Sequence, residues 1–345
     1  MRYTAVLLIL LAGRDIAIAQ TKGFAIEENA AKKQINILYN GKLLTAYCYY
    51  DSARKPVLFP VNTVDGITVT RGYPFKLVPG ERTDHPHHTG IWLNYESVNG
   101  LDFWNNSTAI PFEKRNAYGT IYHRKVLNSS VNANNASLTT SSDWVTPANK
   151  TLLKEKTTYQ FKVSRNDFII DRITTLLAID TEVSFKDVKD GMFAIRVARE
   201  LEMPSKEKSS FVDDKGNITE IPPSGDATAT GMYYSSNGLH GDSVWSSKGA
   251  WVTLTGRKEG RAIAIGMFDH PDNVGYPAYW HARGYGLFAV NPLGRKIFSN
   301  GKDELNFSLQ PGQSVTFRYR VVIRSGSELS IADMNRFADD FKKIK

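Results

Sequence analysis

The sequence contains a single cysteine, Cys48, among its 345 residues. One thiol cannot form an intramolecular disulfide, and it cannot supply the paired thiolates of a cysteine-type zinc site. The fold must therefore depend on the burial of apolar side chains and on backbone pairing. Cys48 lies in an aromatic stretch, Tyr47 to Tyr50, where we expect an unreactive core residue.

Several motifs of common enzyme classes are also missing. The sequence has no glycine-rich phosphate loop, no His-Glu-x-x-His and no Gly-x-Ser-x-Gly. Nucleotide chemistry and serine hydrolysis are thereby disfavoured. The formal net charge is +8, but lysine and arginine are spread along the chain. We expect no nucleic-acid partner and interpret the charge as favouring solubility or attraction to anionic surfaces.

Long apolar runs are lacking beyond the N-terminus. Arg2 precedes the run Ala5 to Ala12, and small residues follow at Ala17-Ile18-Ala19. This pattern predicts a secretory signal peptide over residues 1–20, because the run is too short to span a bilayer. We expect an exported, periplasmic or extracellular protein with no transmembrane segment, in which residues 21–345 form one β-sandwich domain.

Period-two alternation predicts strands through most of the chain. Residues 34–39 and 42–47 flank Asn40-Gly41, a dipeptide that favours a tight hairpin turn. Many further short strands separated by polar turns predict a mainly β, antiparallel sandwich or barrel. The stretch 204–237 has little periodicity and is predicted to be a long loop. Ser330 and the apolar stripe that follows it predict one C-terminal helix.

Titratable side chains are concentrated in two segments. The first, Gly80 to Gly90, holds Glu81, Asp84 and three histidines, which are His85, His87 and His88. Because Pro86 disfavours the helical region for the residue before it, we expect an extended stretch with His85 and His87 on one face and His88 on the other. Such a segment suits acid/base chemistry near neutral pH or metal binding.

The second segment, Phe268 to Arg283, repeats the Asp-His-Pro triplet of residues 84–86 at Asp269-His270-Pro271. It adds aromatic and guanidinium side chains of the kind that bind a polyhydroxylated or anionic ligand. Polar titratable groups are expensive to bury unless they are paired. We therefore predict that His85 or His88 shares a pocket with His281 and Arg283, with side chains within about 10 Å of each other, the width of one sugar.

A family resemblance follows from the order of several motifs: Arg71–Pro74, Asp84–His88, Val98–Trp104, Asp269–Pro271 and Trp280–Phe288. Together they resemble, from about Lys55 to Arg324, a bacterial family often labelled PmoA-like or methane-oxygenase-like. The resemblance implies an exported protein that occurs with sugar-processing enzymes and has the two-sheet β-supersandwich of galactose mutarotases. The ending Leu309–Phe317 is similar to the closing strands of that superfamily.

The leading functional hypothesis is an extracytoplasmic carbohydrate-active enzyme of the epimerase, lyase or hydrolase type, whose chemistry is proton transfer by imidazole and carboxylate groups. The residues predicted to act as acid or base are His85, His88, His281, Glu81 and Asp269. Those predicted to bind substrate are Arg71, His87, Trp104, His270, Asn273, Trp280 and Arg283.

Two alternatives remain open from the sequence. The first is a non-catalytic glycan-binding protein, in which the aromatic faces matter and the histidines need not titrate. The second is a metal-dependent enzyme, in which His85, His87 or His88 joins His270 or His281 around a divalent metal. The expected partner is a carbohydrate or another small molecule in each case.

The signal-peptide pattern predicts that the mature chain begins near Gln20 or Thr21. Mass spectrometry of the protein recovered from the exported fraction of its host measures this N-terminus directly. An exported protein that retains Met1 would contradict the prediction.

Overall fold

The computed structural model describes residues 22–221 and 228–345. The segment predicted to be a signal peptide lies outside these residues. Within them the chain forms two large antiparallel sheets of eight strands each, a few short helical segments and one longer helix at the C-terminus. The predicted fold class, a mainly β antiparallel two-sheet sandwich with one C-terminal helix, is confirmed.

Sheet A carries the candidate site. Its strands, in spatial order, are β1 (Phe24–Asn29), β2 (Gln34–Tyr39), β3 (Lys42–Cys48), β4 (Val57–Val61), β5 (Ile91–Tyr95), β11 (Gly191–Arg196), β18 (Leu287–Asn291) and β17 (Tyr279–Arg283). Asn40 and Gly41 have positive φ angles of 50° and 75° in the turn between β2 and β3, so the predicted hairpin is confirmed.

Sheet B lies on the other side of the core. Its strands, in spatial order, are β14 (Met232–Ser235), β15 (Trp251–Lys258), β16 (Arg261–Asp269), β20 (Ser314–Ser325), β9 (Asp167–Ala178), β8 (Thr151–Ser164), β7 (Asn135–Val145) and β6 (Thr120–Val131). Two small ribbons pair β10 (Val183–Phe185) with β19 (Phe307–Leu309), and β12 (Ser209–Val212) with β13 (Ile218–Ile221). The helices are α1 (Arg295–Phe298) and α2 (Ile331–Phe341), and short 3₁₀ turns cover Ala30–Lys32, Phe112–Ala117, Arg199–Leu201 and Gly241–Val244.

A single apolar core fills the space between the sheets, and alternation along each strand decides which side chains enter it. Leu93, Phe193 and Val290 of sheet A face this core, as do Phe161 and Val321 of sheet B. Their neighbours along sheet A point the opposite way. The outward face of sheet A carries a separate apolar cluster that includes Trp92, Ala194 and Ala289.

The prediction of a loop over 204–237 is wrong in part, because β12, β13 and β14 lie in that stretch. Strands of four residues are too short to show alternation in the sequence. The β12–β13 ribbon pairs with the first histidine segment: Gly80 N donates to Val212 O, and Thr83 N donates to Ser210 O. Thus the ribbon supports the histidine segment.

The predicted C-terminal helix is confirmed as α2. Ser330 caps its N-terminus by accepting a hydrogen bond from Asp333 N, and Met334, Phe337 and Phe341 pack against the outer face of sheet B. Ile331, which the sequence pattern also placed on the apolar stripe, is exposed. No helix in the described ranges is both long and apolar enough to cross a membrane.

Because α2 docks with Met334 buried and Ile331 exposed, substitutions at these two positions should differ in their effect on the free energy of unfolding. Met334→Ala should lower the free energy of unfolding by about 2–5 kcal/mol, because the side chain is fully buried and its loss leaves a cavity. The exposed Ile331→Ala should change it by no more than about 0.5 kcal/mol. Urea unfolding of both variants provides the measurement, and equal effects would show that α2 does not dock as described.

Candidate active site

The three clustered histidines lie on a tight turn. His88 N donates to His85 O at 3.0 Å, which closes a turn with Pro86 at its second position, and His85 has a positive φ of 44°. The prediction of an extended stretch with His85 and His88 on opposite faces is therefore wrong. Proline favours the second position of such a turn, and the turn brings the rings of His85 and His88 to the same side.

The buried guanidinium of Arg71 holds this turn in place. Arg71 is 1% exposed, and its Nη1 donates to the Asp84 backbone oxygen and to Asp84 Oδ1, both at 2.8 Å. Its Nη2 donates to the backbone oxygens of His85 at 2.9 Å and His88 at 3.1 Å. The substrate-binding role predicted for Arg71 thus conflicts with the structure, because the guanidinium is enclosed and occupied by the turn.

Asp84 links this anchor to the imidazole of His85. Its Oδ1 accepts from Arg71 and, at 2.7 Å, from Arg196 Nη2. Its Oδ2 lies 2.5 Å from His85 Nδ1. Burial opposes ionisation of Asp84, but the hydrogen bond from His85 and the charges of Arg196 and Arg71 outweigh it and hold the pKa of the carboxyl well below its usual range. His85 Nε2 remains the ring nitrogen available to a ligand, and the His85 residue is exposed.

Parallel aromatic rings surround His85. Its ring stacks on His88 with centroids 4.8 Å apart and on Tyr285 with centroids 5.0 Å apart. His88 stacks in turn on Trp92 at 5.3 Å. Trp104, 1% exposed, packs edge-on against His88 and forms part of this platform, so the structure does not place it to touch a substrate.

His88 is a structural member of this stack. The side chain is 1% exposed, and its Nδ1 accepts a hydrogen bond from Arg196 Nη1 at 3.3 Å. Burial, together with the charge of His87 and the nearby arginines, lowers the pKa of His88 well below its ordinary value. The prediction that His88 acts as an acid or base is contradicted, because the ring is enclosed and stays neutral.

His87 lies beside the stack. Its ring packs edge-on against those of His85 and His88, and its backbone oxygen accepts a hydrogen bond from the buried Lys55 Nζ at 2.7 Å. Burial, followed by the charge of Lys55, lowers the pKa of His87 well below its ordinary value. The crevice beside it has a volume of only about 20 Å³, too small for a sugar. A substrate contact for His87 therefore remains a prediction.

The second segment reaches the same face of sheet A through strand β17. Trp92 on β5 pairs with Ala194 on β11, and Ala194 pairs with Ala289 on β18. Ala289 in turn pairs with His281 on β17, so all four residues lie in one row across the sheet. Arg283 is two residues beyond His281, so alternation places it on that face as well. It is exposed, and its guanidinium carbon lies 6.0 Å from the centre of the Tyr285 ring. Arg283 and His85 are therefore both neighbours of the Tyr285 ring.

His281 adjoins a carboxylate that the sequence analysis missed. Its Nδ1 lies 3.5 Å from Asp190 Oδ1 without forming a hydrogen bond. Burial, then the charge of Lys189, lowers the pKa of His281 to about 3. The charge of His85 contributes to this lowering as well as to the pKa of Asp190, so His85, His281 and Asp190 share one electrostatic environment.

Three carboxyl groups, Glu96, Asp102 and Asp190, gather at this edge of the site. Burial raises the pKa of each, and the charge of Asp190 raises that of Glu96 further. Asp190 N donates to Glu96 Oε2 at 3.2 Å. Like charges this close disfavour full ionisation of the group, in the same direction as burial.

Other members of the second segment lie elsewhere. Trp280 is fully buried between the sheets, and its Nε1 donates to Gly249 O at 3.0 Å. Because side chains alternate along β17, Trp280 and His281 point to opposite faces. The predicted substrate contact of Trp280 is therefore wrong.

His270 and Asn273 also have structural positions. His270 is fully buried, with its ring edge-on to Phe341 of α2, and its Nε2 lies 3.2 Å from Phe341 O. Asn273 Nδ2 donates to Asp269 Oδ1 and to Arg318 O, both at 2.7 Å. Their predicted substrate-binding roles conflict with these positions, because Asn273 links β16 to β20 and His270 packs on the C-terminal helix.

The two carboxylates predicted to be catalytic, Glu81 and Asp269, hold turns. Glu81 is 4% exposed and accepts from Gly72 N at 2.7 Å. Asp269 is also 4% exposed and accepts from Ala278 N at 2.9 Å. Burial raises the pKa of both to about 7. Both carboxyl groups are held inside the protein, Glu81 by backbone N–H groups and Asp269 by the Asn273 side chain and by backbone, which conflicts with their predicted acid/base roles.

No group of three His, Cys, Asp or Glu side chains is arranged to hold a metal ion within residues 22–221 and 228–345. Because the rings of His85 and His88 are stacked in parallel, their nitrogen atoms do not converge on one point where a metal ion could bind. The metal-dependent hypothesis has no geometric support from the described residues.

The fold and site together define a two-sheet antiparallel β-sandwich with a histidine-centred site on its outer face. The chain belongs to a family of unknown function (DUF6807), whose model matches residues 34–339. The resemblance to proteins labelled PmoA-like stays a prediction. No curated protein matches the chain.

Two carbohydrate enzymes are among the solved structures that match the chain. A GH36 α-galactosidase from Geobacillus stearothermophilus is 12% identical, with a TM-score of 0.39, and the match covers 87% of this chain and 41% of that one. A galactose 1-epimerase from Lactobacillus acidophilus NCFM is 11% identical, with a TM-score of 0.37, covering 90% and 100% of the two chains. The chain therefore spans about two fifths of the α-galactosidase.

The buried carboxyl of Asp269 predicts a pH dependence of stability. Its folded pKa of about 7 exceeds the ordinary value of 3.8, so the folded protein retains a proton that the unfolded chain has lost. Stability should therefore fall as pH rises from about 4 to 7, by up to about 1.4 kcal/mol per pH unit for this group.

Asp269→Asn should remove the part of the slope that Asp269 contributes and leave the part due to Glu81, whereas Asp272→Asn, at an exposed neighbouring carboxylate, should keep the whole slope. Urea unfolding between pH 4 and 8 provides the comparison. An unchanged slope in the Asp269→Asn variant would show that Asp269 is ionised in the folded protein.

Proposed function

We propose that this protein is an exported carbohydrate-active enzyme that transfers a proton at a bound sugar, with His85 as its acid/base group. One observation carries the proposal: an exposed imidazole is oriented by a carboxylate that two buried arginines hold ionised. An ionised Asp84 accepts a hydrogen bond, so the proton of the neutral His85 ring lies on Nδ1. Nε2 then presents a lone pair to the ligand.

The reaction follows from this arrangement. Nε2 of His85 removes a proton from a sugar hydroxyl or from a ring carbon, and the imidazolium formed is stabilised by Asp84 on its other side. His85 then returns the proton to the product. The carboxyl group of Asp190, where burial raises the pKa, lies 3.5 Å from His281 on the same face and is the candidate for a second acid/base group. Proton transfer of this kind is the chemistry of sugar epimerases and lyases.

The surroundings of His85 support a polyhydroxylated ligand. Tyr285 offers an aromatic ring, Arg283 an exposed guanidinium, and Asp190 and Glu96 carboxyl oxygens. Aromatic faces pack against the C–H face of a pyranose, while the charged groups hydrogen-bond its hydroxyls. The resemblance to proteins labelled PmoA-like, which implies a link with sugar processing, agrees with this ligand class.

A second candidate function, non-catalytic glycan binding, is favoured by one observation. Burial lowers the pKa of His87, His88 and His281, so these imidazoles stay neutral at physiological pH. Neutral, fixed rings suit binding and do not shuttle protons. The two functions differ only in whether His85 turns over a substrate.

Replacement of His85 discriminates between these functions. Anomer interconversion and elimination are followed by NMR over a panel of hexoses and hexuronates, with hydrolysis followed on nitrophenyl glycosides. His85→Gln should lower turnover by about 10²–10⁴-fold, because one acid/base group contributes that factor. His240→Gln, at an exposed histidine outside the two segments, should retain full activity.

Binding of the same sugars is measured on the same variants by calorimetry. A wild-type protein that binds a sugar but turns none over would support glycan binding and contradict catalysis. Equal turnover of wild type and His85→Gln would show that His85 is not the acid/base group.

A further inference from the structure

A cavity lies where the chain leaving β3 meets the start of β6, the edge strand of sheet B. It has a volume of about 340 Å³, within the range of small-molecule sites. We call it the β3–β6 cavity and define it by Lys33, Tyr49, Tyr50, Asp51, His123 and Arg124. None of these residues belongs to the two histidine segments.

One wall of the β3–β6 cavity is aromatic and fixed. The rings of Tyr49 and His123 lie 4.3 Å apart with an interplanar angle of 31°. Tyr47, buried beneath them, places its hydroxyl 3.0 Å from His123 Nδ1. Burial lowers the pKa of His123 to about 4, so the ring is neutral under physiological conditions. A preformed aromatic wall of this kind packs against an apolar ring face with little ordering cost.

Two cations stand beside this wall. Lys33 pairs with Asp51, and Arg124 Nε donates to Asp143 at 2.8 Å. The side chains of Lys33 and Arg124 are 44% and 48% exposed, and exposed ion pairs contribute little stability. Either cation can therefore turn to an anionic ligand at small cost. The net charge of +8 favours the approach of such a ligand.

We propose that the β3–β6 cavity binds an acidic sugar residue, with the pyranose ring against Tyr49 and His123 and its carboxylate at Arg124 and Lys33. The inference rests on the proposed carbohydrate ligand but not on catalysis at His85. Ala53 and Lys55 line both this cavity and the crevice beside His87, so the same chain segment borders the cavity and the histidine turn. The cavity is then an ancillary subsite that selects acidic carbohydrate.

An NMR titration with D-galacturonate as the probe tests this subsite. The imidazole signals of His123 and His85, assigned from the spectra of their glutamine variants, report on the two sites separately. Galacturonate should shift the His123 signals, and D-galactose should require a higher concentration to produce the same shift. Tyr49→Ala should weaken galacturonate binding at His123 by about tenfold.

Arg124→Gln should weaken galacturonate binding while leaving galactose binding unchanged, and Arg257→Gln, an exposed arginine on β15, is the matched control. Circular dichroism verifies that each variant is folded. An unmoved His123 signal at saturating galacturonate would overturn the subsite, and equal shifts with galactose would overturn its selectivity for acidic sugars. Loss of turnover in His85→Gln is independent of both results, so the two proposals fail separately.

Discussion

The site depends on one carboxylate placed between two buried guanidinium groups. Asp84 Oδ1 accepts from Arg71 and Arg196, which are 1% and 0% exposed. Without Asp84, two like charges would face each other in the interior, and breaking a buried pair in this way typically costs about 3–5 kcal/mol. The same carboxylate orients His85. Stability of the turn and orientation of the reactive group therefore have a single physical origin.

The sandwich supplies the parts of this arrangement from distant points in the sequence. Arg196 comes from the end of β11, where Glu202 lies 3.7 Å from its guanidinium and also accepts from Arg82. Tyr285 follows β17 and lies over Arg196 at 4.9 Å. Strand alternation separates the roles of adjacent residues, because it directs His281 to the site and Trp280 to the core. The core and the site thus lie on opposite faces of sheet A.

The sequence predicted the fold class, the hairpin at Asn40-Gly41 and helix α2. It failed where tertiary pairing decides the outcome. Asp84 lay within the first histidine segment and Tyr285 just beyond the second, but neither carried a distinguishing mark, and Arg196 resembled any strand residue. Asp190 sat in Lys189-Asp190-Gly191, which has the composition of a plain turn. Glu81 and Asp269 were misassigned because burial and backbone partners cannot be read from composition.

The most direct test of this account is the protonation of the His85 ring, measured by NMR of its two ring nitrogens in the wild type and in Asp84→Asn. The account predicts that neutral His85 carries its proton on Nδ1, with a strongly deshielded signal from the hydrogen bond to Asp84, and that this signal disappears in the variant. A neutral His85 protonated on Nε2, with a spectrum unaffected by Asp84→Asn, would contradict it, because Asp84 would then not orient the group proposed to transfer protons.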